Sequence, residues 1–202
     1  MIYLLRHGEI TGASTKRFIG RTDVGLSRAG LAQAGFWQGY FSKIHIDRVF
    51  TSPLSRAVRT AKIVSGLEMN QITVKDELKE IDLGQWDGKT FKQIKEKYPD
   101  QWKKRGNDLT GYRPPLGESF SDLHERILPV FHGISSENPG NILIVAHAGV
   151  NRMILCSLLN KDLKDLFTIP QKYGCLNMIG NEKNELQVQE VNLVPGEFQI
   201  PV

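Results

Sequence analysis

The stretch Met1-Ile2-Tyr3-Leu4-Leu5-Arg6-His7-Gly8-Glu9 changes from apolar to polar residues within nine positions. Its apolar part has the length of a buried strand, and its glycine permits the backbone to approach a neighbouring group closely. The stretch therefore predicts a strand over residues 1–5 that ends at a polar cluster.

Two further polar clusters follow apolar runs in the same way. Residues 47–51 lead into Ser52-Pro53-Leu54-Ser55-Arg56, and residues 141–146 lead into His147-Ala148-Gly149. In an open parallel sheet the carboxyl ends of the strands share one crevice, which is where ligands bind. We therefore expect two histidines and two arginines, far apart in the sequence, to meet at one edge of a sheet.

Helical patterns alternate with these strands along the chain. Helices are predicted at residues 28–41, 54–65, 90–97, 119–135 and 149–159, with Ser27 and Ser119 as N-caps and Gly66 as a stop. Further strands are predicted at residues 72–75, 173–179 and 186–192, the last two joined around residues 181–184. This alternation predicts an α/β fold, a three-layer α/β/α sandwich around a mostly parallel sheet.

The length of 202 residues fits one domain, residues 1–202. Residues 99–118 contain three prolines and three glycines among mixed charges. Loops of this kind are often lids or binding elements, so a helical or irregular lid insertion is expected there.

Composition and charge exclude several classes of protein. The net charge of +4, from 26 basic and 22 acidic residues, is mild, and the basic residues of 89–105 alternate with acids, so no nucleic-acid partner is expected. No apolar run approaches the ~18 residues of a membrane span, and no signal-peptide cleavage site follows the first strand, which favours the cytoplasm. Cys156 and Cys175 have no C-x-x-C neighbour, which predicts buried reduced thiols rather than a metal or redox site.

The predicted cluster suits a phosphoryl group. Arginine offers a planar fork that matches phosphate oxygens, and a neutral imidazole nitrogen can attack phosphorus to form a covalent intermediate. Each residue alone is ambiguous, because a histidine after a strand is more often structural and a lone arginine is often a surface charge. Two histidines at strand ends, each close to a glycine, favour the functional interpretation.

Four ordered motifs resemble the histidine phosphatase superfamily, in its phosphoglycerate mutase-like branch. They span nearly the whole chain and are Leu5-Arg6-His7-Gly8-Glu9, Thr51-Ser52-Pro53-Leu54-Ser55-Arg56-Ala57 with Thr60-Ala61, Glu80-Ile81-Asp82-Leu83-Gly84, and His147-Ala148-Gly149.

The resemblance implies a role for each matching residue. His7 is expected to be the nucleophile that becomes phosphohistidine, while Arg6, Arg56 and His147 bind and neutralise the phosphoryl oxygens. Glu80 is expected to protonate the leaving alkoxide and then to activate the water that releases phosphate. Without the motif, Glu80 would be interpreted as a surface carboxylate. Two further positions, Gly20 and Ser52, match residues that line the pocket.

No pattern of metal ligands is present in the sequence, and in this family arginines take the role that a divalent cation has elsewhere. We therefore expect a metal-independent phosphoric monoester hydrolase without cofactors, acting on a small-molecule phosphate ester. The oligomeric state is not predicted from the sequence.

The middle of the chain resembles two groups of phosphatases. Lys95-Glu96-Lys97-Tyr98-Pro99 and Tyr112-Arg113-Pro114 are similar to the bisphosphatase domain that acts on fructose 2,6-bisphosphate. That group holds its second phosphate partly with a tyrosine and a lysine, where this chain has Phe91 and Leu109, and Arg105 remains of that set. Arg105 and Arg113 are the expected substrate-binding residues of this segment, but bisphosphatase activity is disfavoured because two donors are lost.

The remaining pattern is more similar to bacterial α-ribazole-5'-phosphate phosphatases, whose product serves assembly of the cobalamin lower ligand. These are similarly short and share Gly117-Glu118-Ser119 before a helix and Gly174-Cys175 in a late strand. One departure is Ala13, where much of the family has an asparagine near the phosphate. A broad-specificity or sugar-phosphate phosphatase, a mutase, a protein phosphatase and a catalytically quiet phosphate-binding scaffold are the alternatives.

Overall fold

The computed structural model describes residues 1–182 and 185–198. Its strands are β1 (Ile2–Arg6), β2 (Arg48–Thr51), β3 (Thr73–Val74), β4 (Ile142–Ala146), β5 (Leu176–Glu182) and β6 (Glu185–Leu193). They form one sheet in the order β3-β2-β4-β1-β5-β6. The first four strands of that order pair in parallel, whereas β5 and β6 pair antiparallel. The predicted α/β fold with a mostly parallel sheet is confirmed.

The helices are α1 (Arg28–Phe41), α2 (Ser55–Ser65), α3 (Phe91–Lys97), α4 (Pro99–Asn107), α5 (Phe120–Glu137) and α6 (Ala148–Leu158). The side chains of Ser27 and Ser119 cap α1 and α5 as predicted, and each accepts a hydrogen bond from a backbone N–H of the first turn. Gly66 ends α2 with a positive φ of 68°, a conformation that glycine adopts without strain.

Alternation of side chains along the central strands produces the layers. Successive residues of a strand point to opposite faces of the sheet. Ile2 and Leu4 of β1 pack into a buried cluster with α5 and α6, whereas Tyr3 and Leu5 pack into a second cluster with α1 and α2. The sheet is therefore covered by helices on both faces, and the core lies in two halves.

The segment predicted as an excursion is helical in its first nine of twenty residues. Residues 99–107 form α4, and the rest of 99–118 consists of turns that lead to the N-cap of α5. A third apolar cluster, formed by Phe18, Trp86 and Ile94, lies beside this segment and is buried. The excursion is thus packed against its own small core at one end of the sheet.

Strand β5 begins three residues later than predicted. Residues 173–175 form a turn because Gly174 has a positive φ of 65° and its N–H donates to the His7 carbonyl oxygen at 3.0 Å. The connection predicted at residues 181–184 includes residues 183 and 184, which lie outside the described residues. Cys156 and Cys175 are buried and unpaired, as predicted. Over the described ranges, no helix combines the length and apolar character needed to cross a bilayer.

Candidate active site

Three neighbouring strands place polar side chains at one end of the sheet. His7 follows β1, His147 follows β4 and Ser52 follows β2, and these three strands are adjacent in the sheet. All three side chains are buried. The rings of the two histidines lie 5.0 Å apart between centroids. Parallel pairing therefore brings together residues separated by up to 140 positions.

His7 is held in one tautomer. Its Nδ1 lies 2.7 Å from the Gly8 carbonyl oxygen, which can only accept, so Nδ1 carries the proton and Nε2 keeps its lone pair. Burial lowers the pKa of His7 well below its ordinary value, and the positive charges of Arg6 and Arg56 lower it further. The imidazole is therefore neutral near pH 7. Gly8 is required here, because a Cβ would lie 2.5 Å from the Gly30 carbonyl oxygen.

Two arginines flank this imidazole. Arg56 is buried and donates from Nη2 to the Gly20 carbonyl oxygen at 2.6 Å and from Nη1 to the Thr22 carbonyl oxygen at 2.8 Å. Arg6 donates from Nη1 to the Gln171 carbonyl oxygen at 2.5 Å. Neutral carbonyl oxygens orient both guanidinium groups without cancelling their charge. Three buried nitrogens have no hydrogen-bond partner among the described residues. They are Nε of Arg6, Nε of Arg56 and Nδ1 of His147.

His147 lies at the N-terminus of α6 and contacts the second predicted pocket residue. Its Nε2 lies 2.7 Å from the Ser52 hydroxyl oxygen. Burial lowers the pKa of His147 well below its ordinary value, and the neighbouring His7 and the arginines act in the same direction. The guanidinium groups of Arg6 and Arg56 and the ring of His147 therefore lie around His7, an arrangement that suits an anion.

Glu80 reaches the same end of the sheet from an irregular segment. Its side chain is buried, and its Oε2 accepts a hydrogen bond from the Gly149 N–H at 3.0 Å, in the first turn of α6. Its Oε1 accepts from the Ile81 N–H at 3.0 Å. A Cβ at position 149 would lie 2.3 Å from Oε1, so the carboxyl occupies space that only glycine leaves open.

A cavity of about 660 Å³ opens from Arg6 and Glu80 towards α4. Most of its lining is apolar and comes from Ile10, Phe18, Ile19, Val24, Ile81, Leu83, Phe91, Leu109, Phe120 and Phe167. Four cationic side chains also line it, namely Lys16, Arg17, Arg105 and Arg152. The space beyond Arg6 and Glu80 is thus suited to an apolar group and can interact with an anion at its walls.

The structure separates the expected substrate-binding residues. Arg105 lines the cavity, its guanidinium carbon lies 5.8 Å from the centre of the Phe18 ring, and no carboxylate pairs with it in the described ranges. Gly20 acts through Arg56, as described above. Arg113 is exposed, pairs with Asp122 in α5 and does not line the cavity. Its expected role in substrate binding therefore has no support in the geometry.

Tyr173 is a residue of the site that the sequence interpretation missed. Its ring centre lies 3.8 Å from the guanidinium carbon of Arg6 and 5.7 Å from the centre of the His7 ring. The residue lies in the turn before β5, where the sequence predicted a strand. The signal available in the sequence was its position directly before Gly174, whose positive φ marks the turn.

The surroundings of the site hold no ready metal cage. Within residues 1–182 and 185–198, no group of three or more His, Cys, Asp or Glu side chains is arranged to hold a metal ion. The charges that lower the pKa of His7 are those of the Arg6 and Arg56 guanidinium groups.

Comparison with known proteins gives a consistent result. The family model described as the histidine phosphatase superfamily (branch 1) matches residues 2–194. A Hydrogenobacter thermophilus protein provisionally named phosphoserine phosphatase 2 is 30% identical over 168 residues, covering 83% of this chain and 83% of that protein. The 6-phosphofructo-2-kinase/fructose-2,6-bisphosphatase of Gallus gallus is 35% identical over 187 residues, covering 86% of this chain but 38% of that protein.

A solved structure shares the whole architecture. The α-ribazole phosphatase from Shigella flexneri superposes with a TM-score of 0.86 at 25% identity, covering 95% of this chain and 96% of that chain.

Proposed function

This chain belongs to the histidine phosphatase superfamily and is a phosphatase, and we propose that it hydrolyses small phosphate monoesters through a phosphohistidine formed on His7. The observation that carries the proposal is a neutral imidazole with a free Nε2, flanked by two buried guanidinium groups. The guanidinium groups of Arg6 and Arg56 and the ring of His147, which surround this imidazole, are then the groups that bind the phosphoryl oxygens.

The proposed reaction has two displacements. In the first, His7 Nε2 attacks phosphorus, the bond from phosphorus to the ester oxygen breaks, and Glu80 gives its proton to the departing alkoxide. In the second, Glu80 takes a proton from water as the water oxygen attacks the phosphohistidine, and phosphate leaves from a regenerated imidazole. Charge that develops on the phosphoryl oxygens is stabilised by Arg6 and Arg56, whose orientations are fixed before substrate binds.

We propose α-ribazole 5'-phosphate as the substrate and a place for the reaction in cobalamin lower-ligand assembly, in the cytoplasm. The apolar lining of the cavity supports this choice, because a nucleoside with an aromatic base buries a flat apolar surface. Arg105 pairs with no carboxylate of the described residues and adds a cation at the wall where a ring or an anion can lie.

A sugar bisphosphate is the second candidate, favoured by the 35% identity to the bifunctional kinase and bisphosphatase. The cavity supports it less well. Phe91 and Leu109 both line the cavity and offer no hydrogen-bond donors from their side chains, so a second phosphate there would meet few partners.

The test is phosphate release from α-ribazole 5'-phosphate beside fructose 2,6-bisphosphate, phosphoserine and 3-phosphoglycerate. We expect the highest kcat/KM on the nucleotide-like ester and no release by the His7→Ala variant. A preference for fructose 2,6-bisphosphate would replace the proposed substrate but keep the chemistry. Equal release by wild type and by His7→Ala would refute the phosphohistidine.

A further inference from the structure

We propose that Glu118, held between Arg21 and Arg126, is a positioning residue that fixes the Glu80 carboxyl for proton transfer. The proposal rests on the proposed role of Glu80 as proton donor. Nothing in the catalytic scheme above uses these three residues, although they form the densest group of ion pairs in the described part of the chain.

The segment that carries Glu80 has little regular structure of its own. A short 3₁₀ turn covers Asp76–Leu78, and residues 79–83 belong to no helix or strand. Backbone carbonyl groups in such a segment need partners from elsewhere, because leaving them unpaired and buried costs free energy. Their partners therefore decide where the segment lies.

Arg126, on α5, supplies most of those partners. Its Nη1 donates to the carbonyl oxygens of Glu77 and, at 3.1 Å, of Lys79. Its Nη2 lies 3.5 Å from the Glu80 carbonyl oxygen, and Nε of Arg21 approaches the same oxygen at 3.4 Å. Two guanidinium groups from distant parts of the chain thus converge on the main chain of the proposed proton donor.

Glu118 holds the two arginines in place. Both of its oxygens accept from Arg126 at 2.9 Å, in a fork that fixes the guanidinium plane. Its Oε1 also accepts from Arg21 Nη2 at 2.9 Å, and its Oε2 accepts from the Asp82 N–H at 3.0 Å. One carboxylate therefore joins α5, the loop of Arg21 and the segment just after Glu80.

The charge of Glu118 matters as well as its shape. Burial alone raises the pKa of this carboxyl, but hydrogen bonds from Arg126 and the Asp82 N–H, with the charges of both arginines, outweigh burial and lower the pKa. Without the negative charge of Glu118, one carboxylate among the described residues, Asp82 at 3.1 Å from Nη1 of Arg21, would remain beside two partly buried guanidinium groups. We expect them to separate and to release the Glu80 main chain.

A cluster that only stabilises the fold would give a different kinetic result. General acid catalysis matters most when the leaving group is a poor one, because a weakly acidic alcohol or phenol needs its proton during bond cleavage. Displacing Glu80 should therefore slow phenyl phosphate strongly and p-nitrophenyl phosphate weakly. General loss of folded protein would slow both esters equally.

The experiment measures kcat/KM across ring-substituted phenyl phosphates for wild type, Glu118→Gln, Arg126→Lys and Glu80→Gln. Since general acid catalysis contributes about 10²–10⁴-fold, we expect Glu80→Gln to lose ~100-fold or more on phenyl phosphate. For Glu118→Gln and Arg126→Lys we expect roughly 10-fold on phenyl phosphate and about 2-fold on p-nitrophenyl phosphate. Inhibition by inorganic phosphate should not change, since the phosphoryl pocket is untouched.

The control is Asp76→Asn, which removes an exposed ion pair with Lys79 from the same segment without touching the cluster. It should behave as wild type. The proposal would be overturned if kcat/KM depended on leaving-group acidity in Glu118→Gln and Arg126→Lys with the same slope as in wild type. Unfolding of both variants would also overturn it. If Glu80→Gln lowers kcat/KM by the same factor for every leaving group, the proposed role of Glu80 as proton donor fails instead.

Discussion

Substitution of Gly149 by alanine tests whether the Glu80 carboxyl must lie against the first turn of α6. The added Cβ would lie 2.3 Å from Oε1 and 3.1 Å from the carboxyl carbon of Glu80. Ordinary contact with a Cβ begins at 3.4 Å, so the carboxyl must move by about 1 Å. The carboxyl is the end of a flexible side chain, and it will therefore move while the helix stays in place.

The expected loss of activity follows from that displacement. A misplacement of about 1 Å can cost ~10²-fold in rate, which corresponds to about 2.7 kcal/mol of transition-state free energy. Stability should change little, because alanine in a helix gains up to about 1 kcal/mol over glycine, and loss of the hydrogen bond from the Gly149 N–H to Glu80 costs about the same. Activity and stability should therefore separate.

The assay combines kcat/KM on phenyl phosphate with thermal unfolding of the same preparation. We expect kcat/KM to fall about 100-fold while Tm stays within about 4 °C of wild type. Gly35→Ala is the matched control, because Gly35 also lies within a helix and a Cβ there meets no atom of the described residues within 4 Å outside the backbone of that helix. That variant should keep full activity.

Wild-type turnover by Gly149→Ala at unchanged Tm would refute the reasoning. It would mean that the carboxyl performs its function from a position at least 1 Å away from the one described, and that its hydrogen bond to the Gly149 N–H is not part of catalysis.

Three further predictions follow from the site and its surroundings. Phosphate release should be the same in EDTA as in its absence, because guanidinium groups supply the positive charge, and a large loss would contradict this mechanism. Tyr173→Ala should raise KM several-fold in steady-state kinetics, because the Arg6 guanidinium loses the ring against which it packs. Tyr173→Phe keeps a ring 3.8 Å from the guanidinium and should leave KM unchanged. Hydrogen bonds from Arg113 hold the pKa of Asp122 well below its ordinary value. The stability linked to this carboxylate is therefore present above about pH 4 and is lost as the pH falls further. On acidification, Tm of Asp122→Asn should fall less than Tm of wild type. Equal losses of Tm would contradict this linkage.

The convergence of His7 and His147 at one end of the sheet could be predicted because its signals are local. An apolar run followed by a polar cluster predicts both a strand and the side chains at its carboxyl end. Parallel pairing of neighbouring strands then brings His7 and His147 together. The number of residues between two such histidines does not indicate whether they are close in space. Their positions at the ends of neighbouring strands do indicate it.

Glu80 shows the opposite case. Its neighbours in the sequence are typical of a solvated surface, and the family resemblance alone singled it out. The groups that bury it are distant in the chain, since Gly149 lies 69 positions away and Arg126 lies 46 positions away. A pattern within one segment cannot report a contact of that kind.

Arg113 and Tyr173 show how local chemistry and turns redirect side chains. Arg113 was expected in the substrate site. Its guanidinium instead pairs with Asp122 at the start of α5, outside the cavity. Tyr173 lies in a turn where a strand was predicted, and the turn points its ring at Arg6. A neighbouring side chain decides the position of Arg113 and a backbone turn decides that of Tyr173, and the sequence pattern predicted neither.

The two ends of the cavity are built on different principles, and this difference explains how one chemistry can serve many esters. At the end that holds His7, main-chain carbonyl oxygens accept hydrogen bonds from Arg6 and Arg56. A side-chain substitution at the residues that supply these carbonyl groups leaves the carbonyl oxygens in place. At the other end, side chains such as Phe91 and Leu109 form the wall, so a single substitution changes what the wall can bind. Specificity should therefore change by substitutions in residues 91–120 while the positions of His7 and Glu80 stay constant. An exchange that brings a tyrosine and a lysine to positions 91 and 109 should raise activity on a bisphosphate without loss on p-nitrophenyl phosphate. Equal loss on both esters would show that the two ends are not independent.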